Sequence, residues 1–403
     1  MKYLIESDER RDIQIFGLNF QKKNKNSILI FKKYYEDICM EKEKIDKLEN
    51  GYEWDRIKKI GNPFELIYTS TNKKKKKDSI SNYQPISRSY FKMWEIFFNF
   101  SDKIFKDVSG HESLSFGNLA EGPGGFMEAI HNYRNIMLRG KQSKDVYYGI
   151  TLQPNNEYVP DWNKMKKIFG DKQNIHIDYG NLYLYNDVIK YVRNFQNKKA
   201  FIVTADGGFD YSSDFNGQEI SSCQIIYSEC VVALNILKEK GTFVCKVFDL
   251  FTSTMIKIIY LLYMNFEEVY FYKPETSRPA NSEKYLVCIG YKNVLSNDEK
   301  NYLLHLIREY QNGVVSQDIQ ENETYDLNGI RVPNSFVRSL SLYNEEYIKN
   351  QKYYLQKTIQ LAYQKPNKEE YDLLIKNQVK NAIDWCKKYN VPINQQSIYL
   401  TKN

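Results

Sequence analysis

The sequence predicts an α/β protein built on a mostly parallel sheet of seven strands, with an antiparallel last strand. Seven short runs rich in β-branched and aromatic residues follow one another along the middle of the chain. Segments of helical length separate the first five runs, as expected for parallel strands. The turn-rich stretch KPETSRPANS between the last two runs is too irregular for a crossover helix, which favours an antiparallel final strand.

The residues before these strands divide into a charged extension and one helix. Residues 1–80 are charged and aromatic without strong periodicity and contain the lysine run at 73–77 near their end. We interpret them as an N-terminal extension closed by an exposed loop, whose lysines are either solvated or in contact with phosphates. From Ser87 the stretch SRSYFKMWEIFFNF repeats aromatic side chains at helical spacing, with Lys92 off the apolar stripe.

The strands and their crossovers place the α/β domain at residues 81–295. They are predicted, in chain order, in LSFGNLA, DVYYGIT, NIHID, AFIVTA, GTFVCKV, EEVYFY and EKYLVCIGY. Beyond Lys292 the strand signals stop, and Glu345 to Tyr363 and Lys368 to Tyr389 have helical spacing. Residues 296–403 are therefore predicted to form a mainly helical C-terminal region.

Composition excludes several classes of protein. The 403 residues are 42% hydrophobic, enough to bury a full core, and the net charge of +7 is compatible with a polyanionic partner. Six scattered cysteines form no CxxC pair, so we expect buried apolar thiols and no structural metal. The charged first dozen residues and the short apolar runs predict an intracellular protein without a membrane segment, in the cytoplasm, a virion or the nucleus.

A glycine-rich turn follows the first strand. In EGPGGFMEAI, the residues Gly122, Pro123, Gly124 and Gly125 form a tight turn that opens a helix, and missing side chains let the backbone approach a ligand. The spacing is not the GxGxxG of dinucleotide folds, and Pro123 would disturb a pyrophosphate cradle. The turn favours a nucleotide-type cofactor without pyrophosphate, such as S-adenosylmethionine, although a purely structural turn is the alternative.

Three ionisable residues are predicted to meet at one edge of the sheet. Asp206 and Lys246 end neighbouring strands, and Glu283 starts the antiparallel strand at the same edge. A lysine in an apolar strand needs a partner, so Lys246 pairs with one of these carboxylates, either as a structural ion pair or as a catalytic group. Lys92 would be a second cation that depresses the pKa of Lys246 and lets it act as a general base on a hydroxyl.

At these residues the sequence resembles the FtsJ-type (RrmJ-type) ribose 2′-O-methyltransferases, and more closely their cap-specific mRNA members from eukaryotes and large DNA viruses. The resemblance runs from Asn62 to Tyr291 through NPFELI, LAEGPGGF, TADGGFD, NGQE, CKVFDLFT and KPETSRPANSEKYLVC. It implies a Rossmann-like methyltransferase fold, S-adenosylmethionine as cofactor, and RNA as substrate, with capped mRNA favoured. The alternatives are a 2′-O-methyltransferase of rRNA or tRNA and a catalytically inactive, RNA-binding methyltransferase-like subunit.

The resemblance also implies roles for individual residues. The Lys-Asp-Lys-Glu tetrad of the family falls on Lys92, Asp206, Lys246 and Glu283, with Lys246 as the general base. The implied cofactor contacts are Ala120, Glu121, Gly122, Pro123, Gly124, Gly125, Phe126, Asn181 and Asp206. The implied RNA contacts are Ile220, Ser221, Ser222 and Asn281, although the first three also suit an ordinary first helical turn. Asn118 and Asn181 stand where many relatives carry an acidic residue.

Overall fold

All seven predicted strands are present in the sheet. The computed structural model describes residues 1–6, 29–46, 51–69, 78–108, 112–137, 144–154, 160–169, 174–208, 216–313 and 330–401, and the lysine run at 73–77 lies outside them. Within these residues the sheet has eight strands. They are β1 (Lys2–Leu4), β2 (Ser115–Leu119), β3 (Val146–Thr151), β4 (Ile175–Tyr179), β5 (Ala200–Ala205), β6 (Leu237–Val247), β7 (Phe266–Tyr272) and β8 (Lys284–Tyr291).

The strand order is β1-β7-β8-β6-β5-β2-β3-β4. Strands β2 to β6 pair in parallel, whereas β8 runs antiparallel to both β6 and β7, which confirms the predicted direction of the last strand. The eighth strand, β1, is antiparallel to β7 and was not predicted. Three residues are too short a segment for an alternating pattern to be recognised.

Helices cover both faces of this doubly wound sheet. They are α1 (Lys32–Asp46), α2 (Gly51–Ile60), α3 (Ser89–Ile104), α4 (Gly125–Met137), α5 (Asn163–Phe169), α6 (Tyr185–Arg193), α7 (Gln218–Ile236), α8 (Ser253–Asn265), α9 (Asn297–Gly313), α10 (Asn334–Gln364) and α11 (Lys368–Lys388), with a 3-10 turn at Glu65–Ile67. Helix α3 confirms the predicted helix around Lys92. Helices α10 and α11 confirm the helical C-terminal region, with α10 starting earlier than predicted.

Two apolar cores lie on opposite faces of the sheet. One includes side chains from α7, α8 and α10, and the other includes side chains from α3, α4 and α11. All six cysteines are buried and unpaired, as predicted for small apolar groups. No helix in the described part of the chain is long and apolar enough to cross a membrane.

The terminal segments pack onto the α/β domain and onto each other. Helix α1 meets α10 through Lys352 Nζ and Asp37 Oδ1, 2.7 Å apart. Helix α11 meets α3, where Trp94 Nε1 donates to the backbone oxygen of Tyr389 at 2.9 Å and the Phe91 and Trp385 rings lie 5.6 Å apart. The division at residues 80 and 295 stays a prediction, since both flanking segments contribute to the two cores.

Candidate active site

Strand register brings the predicted polar residues to one edge of the sheet. Ala205 pairs with Cys245, so Asp206 follows β5 beside Lys246, and Lys246 is directly opposite Tyr285 on β8. Glu283 immediately precedes β8 at this edge, and α3 supplies Lys92. The predicted convergence is observed, while the catalytic roles of these residues stay predictions.

The four side chains form two ion pairs. Lys92 Nζ lies 2.7 Å from Glu283 Oε1, and Lys246 Nζ lies 3.2 Å from Asp206 Oδ1. Lys246 Nζ also donates to the backbone oxygen of Asp206 at 2.8 Å. Each side chain is between 12% and 18% exposed, so the charges are largely removed from water yet reachable by a ligand. Partial desolvation of this kind strengthens their mutual attraction.

The pKa of Lys246 is shifted in the direction opposite to the one that we predicted. Burial disfavours its ammonium form, but the carboxylates of Asp206, Glu283 and Glu229 outweigh burial, and the pKa of Lys246 is raised. The prediction that Lys92 depresses it was wrong because Lys92 is itself paired with Glu283. Burial opposes ionisation of Glu283 as well, yet Lys92, Lys246 and Lys273 lower its pKa to about 2. Lys246 is thus held in its ammonium form and Glu283 in its carboxylate form.

Three residues that sequence reasoning missed hold the pairs in place. The hydroxyl of the fully buried Tyr285 donates to Asp206 Oδ1 at 2.9 Å. Ser277 Oγ donates to Glu283 Oε1 at 2.9 Å, and Lys273 Nζ donates to the backbone oxygen of Glu283 at 2.6 Å. Tyr285 could have been found, because a residue two positions after Glu283 in a strand lies on the same face of the sheet.

The glycine turn lies at the same edge, packed against neighbouring elements. A Cβ on Gly122 would lie 2.6 Å from Thr151 Oγ1 and 2.9 Å from the backbone oxygen of Pro160. Gly124 has φ of +114°, a conformation that side chains disfavour, and its Cβ would lie 2.2 Å from Met165 Cγ. Both positions therefore require glycine for packing alone, which supports the structural alternative without excluding a ligand.

Glu121 and Phe126, two of the predicted cofactor contacts, point into the protein. Glu121 Oε1 accepts from the backbone N–H groups of Phe126 and Met127 at 2.8 and 2.9 Å, in the first turn of α4. Burial raises the pKa of Glu121 to about 8. The Phe126 ring is fully buried, 5.7 Å from the Tyr285 ring. Only the backbone of Phe126 can therefore reach a ligand.

The remaining predicted contacts differ in their position and in how far their side chains are exposed. Asn181 lies after β4, where its Oδ1 accepts from the backbone N–H of Tyr183 at 2.9 Å. Ile220 and Ser221 are half-buried on the first turn of α7, whereas Ser222 is fully buried and its hydroxyl donates to the backbone oxygen of Glu219 at 3.0 Å. In this arrangement the Ser222 hydroxyl stabilises the first turn of α7 rather than binding a ligand.

Asn281 is exposed at the rim of the site. Its backbone oxygen accepts from Lys273 Nζ at 2.7 Å and from the Tyr347 hydroxyl at 3.3 Å, which ties its loop to β7 and α10. Of the four predicted RNA contacts, Asn281 is the most accessible.

The motifs singled out from the sequence interlock around Lys246. Glu219 of NGQE is buried, and its carboxylate accepts from the backbone N–H groups of Phe251 and Thr252 at 2.8 Å. Gln218 Oε1 of the same motif accepts from Ser282 Oγ of SRPANSE at 2.6 Å. Part of this sequence signature therefore builds the scaffold that holds Lys246 and Glu283.

Comparison with known proteins identifies relatives of the chain. The family model described as FtsJ-like methyltransferase matches residues 85–291. Cap-specific mRNA (nucleoside-2′-O-)-methyltransferase 1 of Xenopus laevis is 33% identical over 291 residues, 66% of this chain and 31% of the relative. The Homo sapiens protein of that name is 32% identical over 278 residues, 63% of this chain and 30% of the relative. The chain thus spans about a third of the length of these curated relatives.

Among solved structures, the chain is similar to a ribosomal RNA methyltransferase, putative, from Plasmodium falciparum. The two are 19% identical with a TM-score of 0.36, and the match covers 51% of this chain and 97% of that one.

Proposed function

Because the chain belongs to the FtsJ-like methyltransferase family, we propose that it methylates a ribose 2′-hydroxyl of RNA, at a nucleotide next to the 5′ cap of mRNA. One observation carries the proposal. The Lys92–Glu283 and Lys246–Asp206 ion pairs lie at the carboxyl ends of the parallel strands, on the edge that also holds the glycine turn. Ligands of doubly wound sheets bind at this edge.

The residues around the turn fit S-adenosylmethionine, the methyl donor of the family. Glu121 Oε2 is buried and has no hydrogen-bond partner among the described residues, and Asp206 adds negative charge beside it. A cationic ligand here would be attracted by Asp206 and would favour the ionised form of Glu121. Two residues would complete the site. Leu152 lies just beyond β3, is 44% exposed and would contact the adenine ring, and Asn181 lies beyond β4 and would offer its amide. When bound, this cofactor supplies an electrophilic methyl group.

Lys246 is the group best placed to take the hydroxyl proton. Asp206 contacts its amine through both a side-chain and a backbone oxygen, which fixes the direction of Nζ. The ribose oxygen would lose its proton to Nζ as it bonds to the methyl carbon, while the bond between that carbon and the sulfur of the donor would break and leave its electron pair on sulfur in S-adenosylhomocysteine. Orientation of the hydroxyl therefore contributes much of the rate. Since the pKa of Lys246 is raised, only a small fraction of the enzyme carries a neutral amine at neutral pH. Lys92 and Glu283 complete the network beside it.

The cap assignment is tested by comparing capped and uncapped RNA of the same sequence. We expect methyl transfer from labelled S-adenosylmethionine to be much faster on the capped RNA, with mass spectrometry of released nucleosides locating the methyl on a 2′-oxygen of a cap-proximal nucleotide. Equal rates would instead favour rRNA or tRNA as substrate. A chain that binds RNA but transfers no methyl group to any of these RNAs would be the inactive subunit.

Replacing Tyr285 with Phe tests how Asp206 is held. The variant loses the hydrogen bond from the Tyr285 hydroxyl to Asp206 Oδ1, so we expect kcat to fall roughly fivefold, which corresponds to about 1 kcal/mol for one such bond. Cofactor affinity, measured by calorimetry, should stay within about twofold. Tyr147→Phe is the matched control, because the buried Tyr147 hydroxyl has no partner among the described residues. Equal kcat values for the two variants would contradict this role of Tyr285.

A further inference from the structure

A third acidic residue, Glu229, lies next to the Lys246–Asp206 pair and contacts the residues that follow Asp206 and precede Lys246. It is on α7, is fully buried, and its Oε1 accepts from the backbone N–H of Gly207 at 3.1 Å. A Cβ on Gly207 would lie 2.3 Å from this oxygen, so the turn that carries Asp206 rests on Glu229. This contact could not be predicted from the sequence, because Glu229 lies in the middle of an apolar helix.

Glu229 is poorly satisfied in comparison with another buried carboxylate of the same helix. Glu219 accepts from two backbone N–H groups and from the Thr252 hydroxyl. Among the described residues, Glu229 accepts only from Gly207 and, at 3.8 Å, from the thiol of Cys245. Ionising an acid with so few donors is costly, and an amide would keep the contact with Gly207 without that cost. Structural need alone does not explain an acid here.

The two charged groups that face Glu229, Asp206 and Lys246, belong to the proposed active site. Asp206 approaches it from the turn after β5, and Lys246 and Cys245 approach it from β6. Glu229 in turn raises the pKa of Lys246, as Asp206 and Glu283 do. We propose that Glu229 is a positioning residue of the reaction, which supports the Asp206 turn from below and controls the protonation of Lys246 through its own charge. This proposal rests on the proposed function.

The direction of the effect follows from the titration of Glu229. Burial, opposed by Lys246 and aided by Asp206, raises the pKa of Glu229 to about 8. Below that pH Glu229 is neutral and does not change the pKa of Lys246. Above it, the new negative charge raises the pKa of Lys246 further and reduces the fraction of neutral amine. In the wild type, the increase of log kcat with pH should therefore flatten above about pH 8.

Glu229→Gln separates the charge from the contact, because the amide oxygen can still accept from Gly207. We expect kcat of this variant to equal that of the wild type near pH 6.5. Near pH 9.5 kcat of the variant should be roughly three- to tenfold higher, because a pKa of Lys246 that is lower by about half to one unit increases the fraction of neutral amine by that factor. Glu128→Gln is the control, since Glu128 is another buried acid with a raised pKa that accepts one backbone N–H, from Ile86. Its pH profile should follow the wild type. If the ratio of kcat in Glu229→Gln to kcat in the wild type does not change with pH, the charge of Glu229 does not have this role.

Glu229→Leu removes the contact as well. We expect kcat near pH 6.5, where Glu229 carries no charge in the wild type, to fall while KM and cofactor affinity change little, because the Asp206 turn loses its support. Calorimetric binding of S-adenosylmethionine confirms that the variant is folded. Unchanged kcat near pH 6.5 in a folded Glu229→Leu protein would overturn the positioning role.

A measurement without catalysis separates this proposal from the proposed function. The 13Cε resonance of Lys246, assigned by its loss in Lys246→Arg, should titrate at lower pH in Glu229→Gln than in the wild type. If the wild type transfers no methyl group but this shift is observed, the proposed function fails and the coupling stands. If both proteins titrate together, the coupling itself is refuted.

Discussion

Lys246→Met should lower kcat by about a hundred- to ten-thousandfold, the range that a positioned general base contributes. The methionine side chain fills nearly the volume of the lysine stem but can accept no proton from the ribose hydroxyl. Asp206 keeps its hydrogen bond from Tyr285, so its turn should stay in place. We therefore expect the affinity for S-adenosylmethionine, measured by calorimetry, to change little, and single-turnover kinetics to show the loss in the chemical step.

Lys246→Arg decides what the lysine does. An arginine keeps the positive charge between Asp206 and Glu283, but its guanidinium does not lose a proton in the pH range of proteins. If Lys246 is the general base, this variant should be as inactive as Lys246→Met. If it retains a large part of the wild-type rate, the charge of Lys246 rather than its proton chemistry matters, and the proposed mechanism is wrong.

The sheet and the meeting of the charged residues could be predicted because both depend on local sequence. Runs of β-branched and aromatic residues marked each long strand, and parallel strands place their carboxyl ends together, so Asp206 and Lys246 had to lie at one edge. Strand β1 was missed because a three-residue strand has no period to recognise.

The electrostatics of the site could not be predicted in the same way. The sign of the pKa shift of Lys246 depends on how many carboxylates surround it, and one of them, Glu229, lies in the middle of an apolar helix rather than at the end of a strand. Likewise, the sequence NGQEISS could not reveal that Glu219 and Ser222 point into the protein, since a first helical turn looks alike whichever face is buried.

The loop that carries Asn281 and Glu283 depends on a buried carboxylate one turn along α3 from Lys92. Glu95 is fully buried and accepts four hydrogen bonds, from the Tyr272 hydroxyl at 3.0 Å, the backbone N–H groups of Glu275 and Thr276 at 2.8 Å, and Trp385 Nε1 at 3.0 Å. These donors come from β7, from the loop itself and from α11. One side chain therefore joins the C-terminal region to the catalytic edge.

Glu95→Ala should lower the free energy of unfolding by about 3 to 5 kcal/mol, because four buried donors lose their acceptor at once. Denaturant unfolding followed by circular dichroism measures this loss. The control is Glu345→Ala, which removes an exposed pair with Lys349 at 3.1 Å and should cost no more than about 0.5 kcal/mol. Because Glu275 and Thr276 would be released, the fraction of Glu95→Ala that stays folded should also have a lower kcat, as Glu283 loses its fixed position beside Lys92. A variant as stable as Glu345→Ala would show that the loop and α11 are held mainly by apolar packing, and that Glu95 is not the link between them.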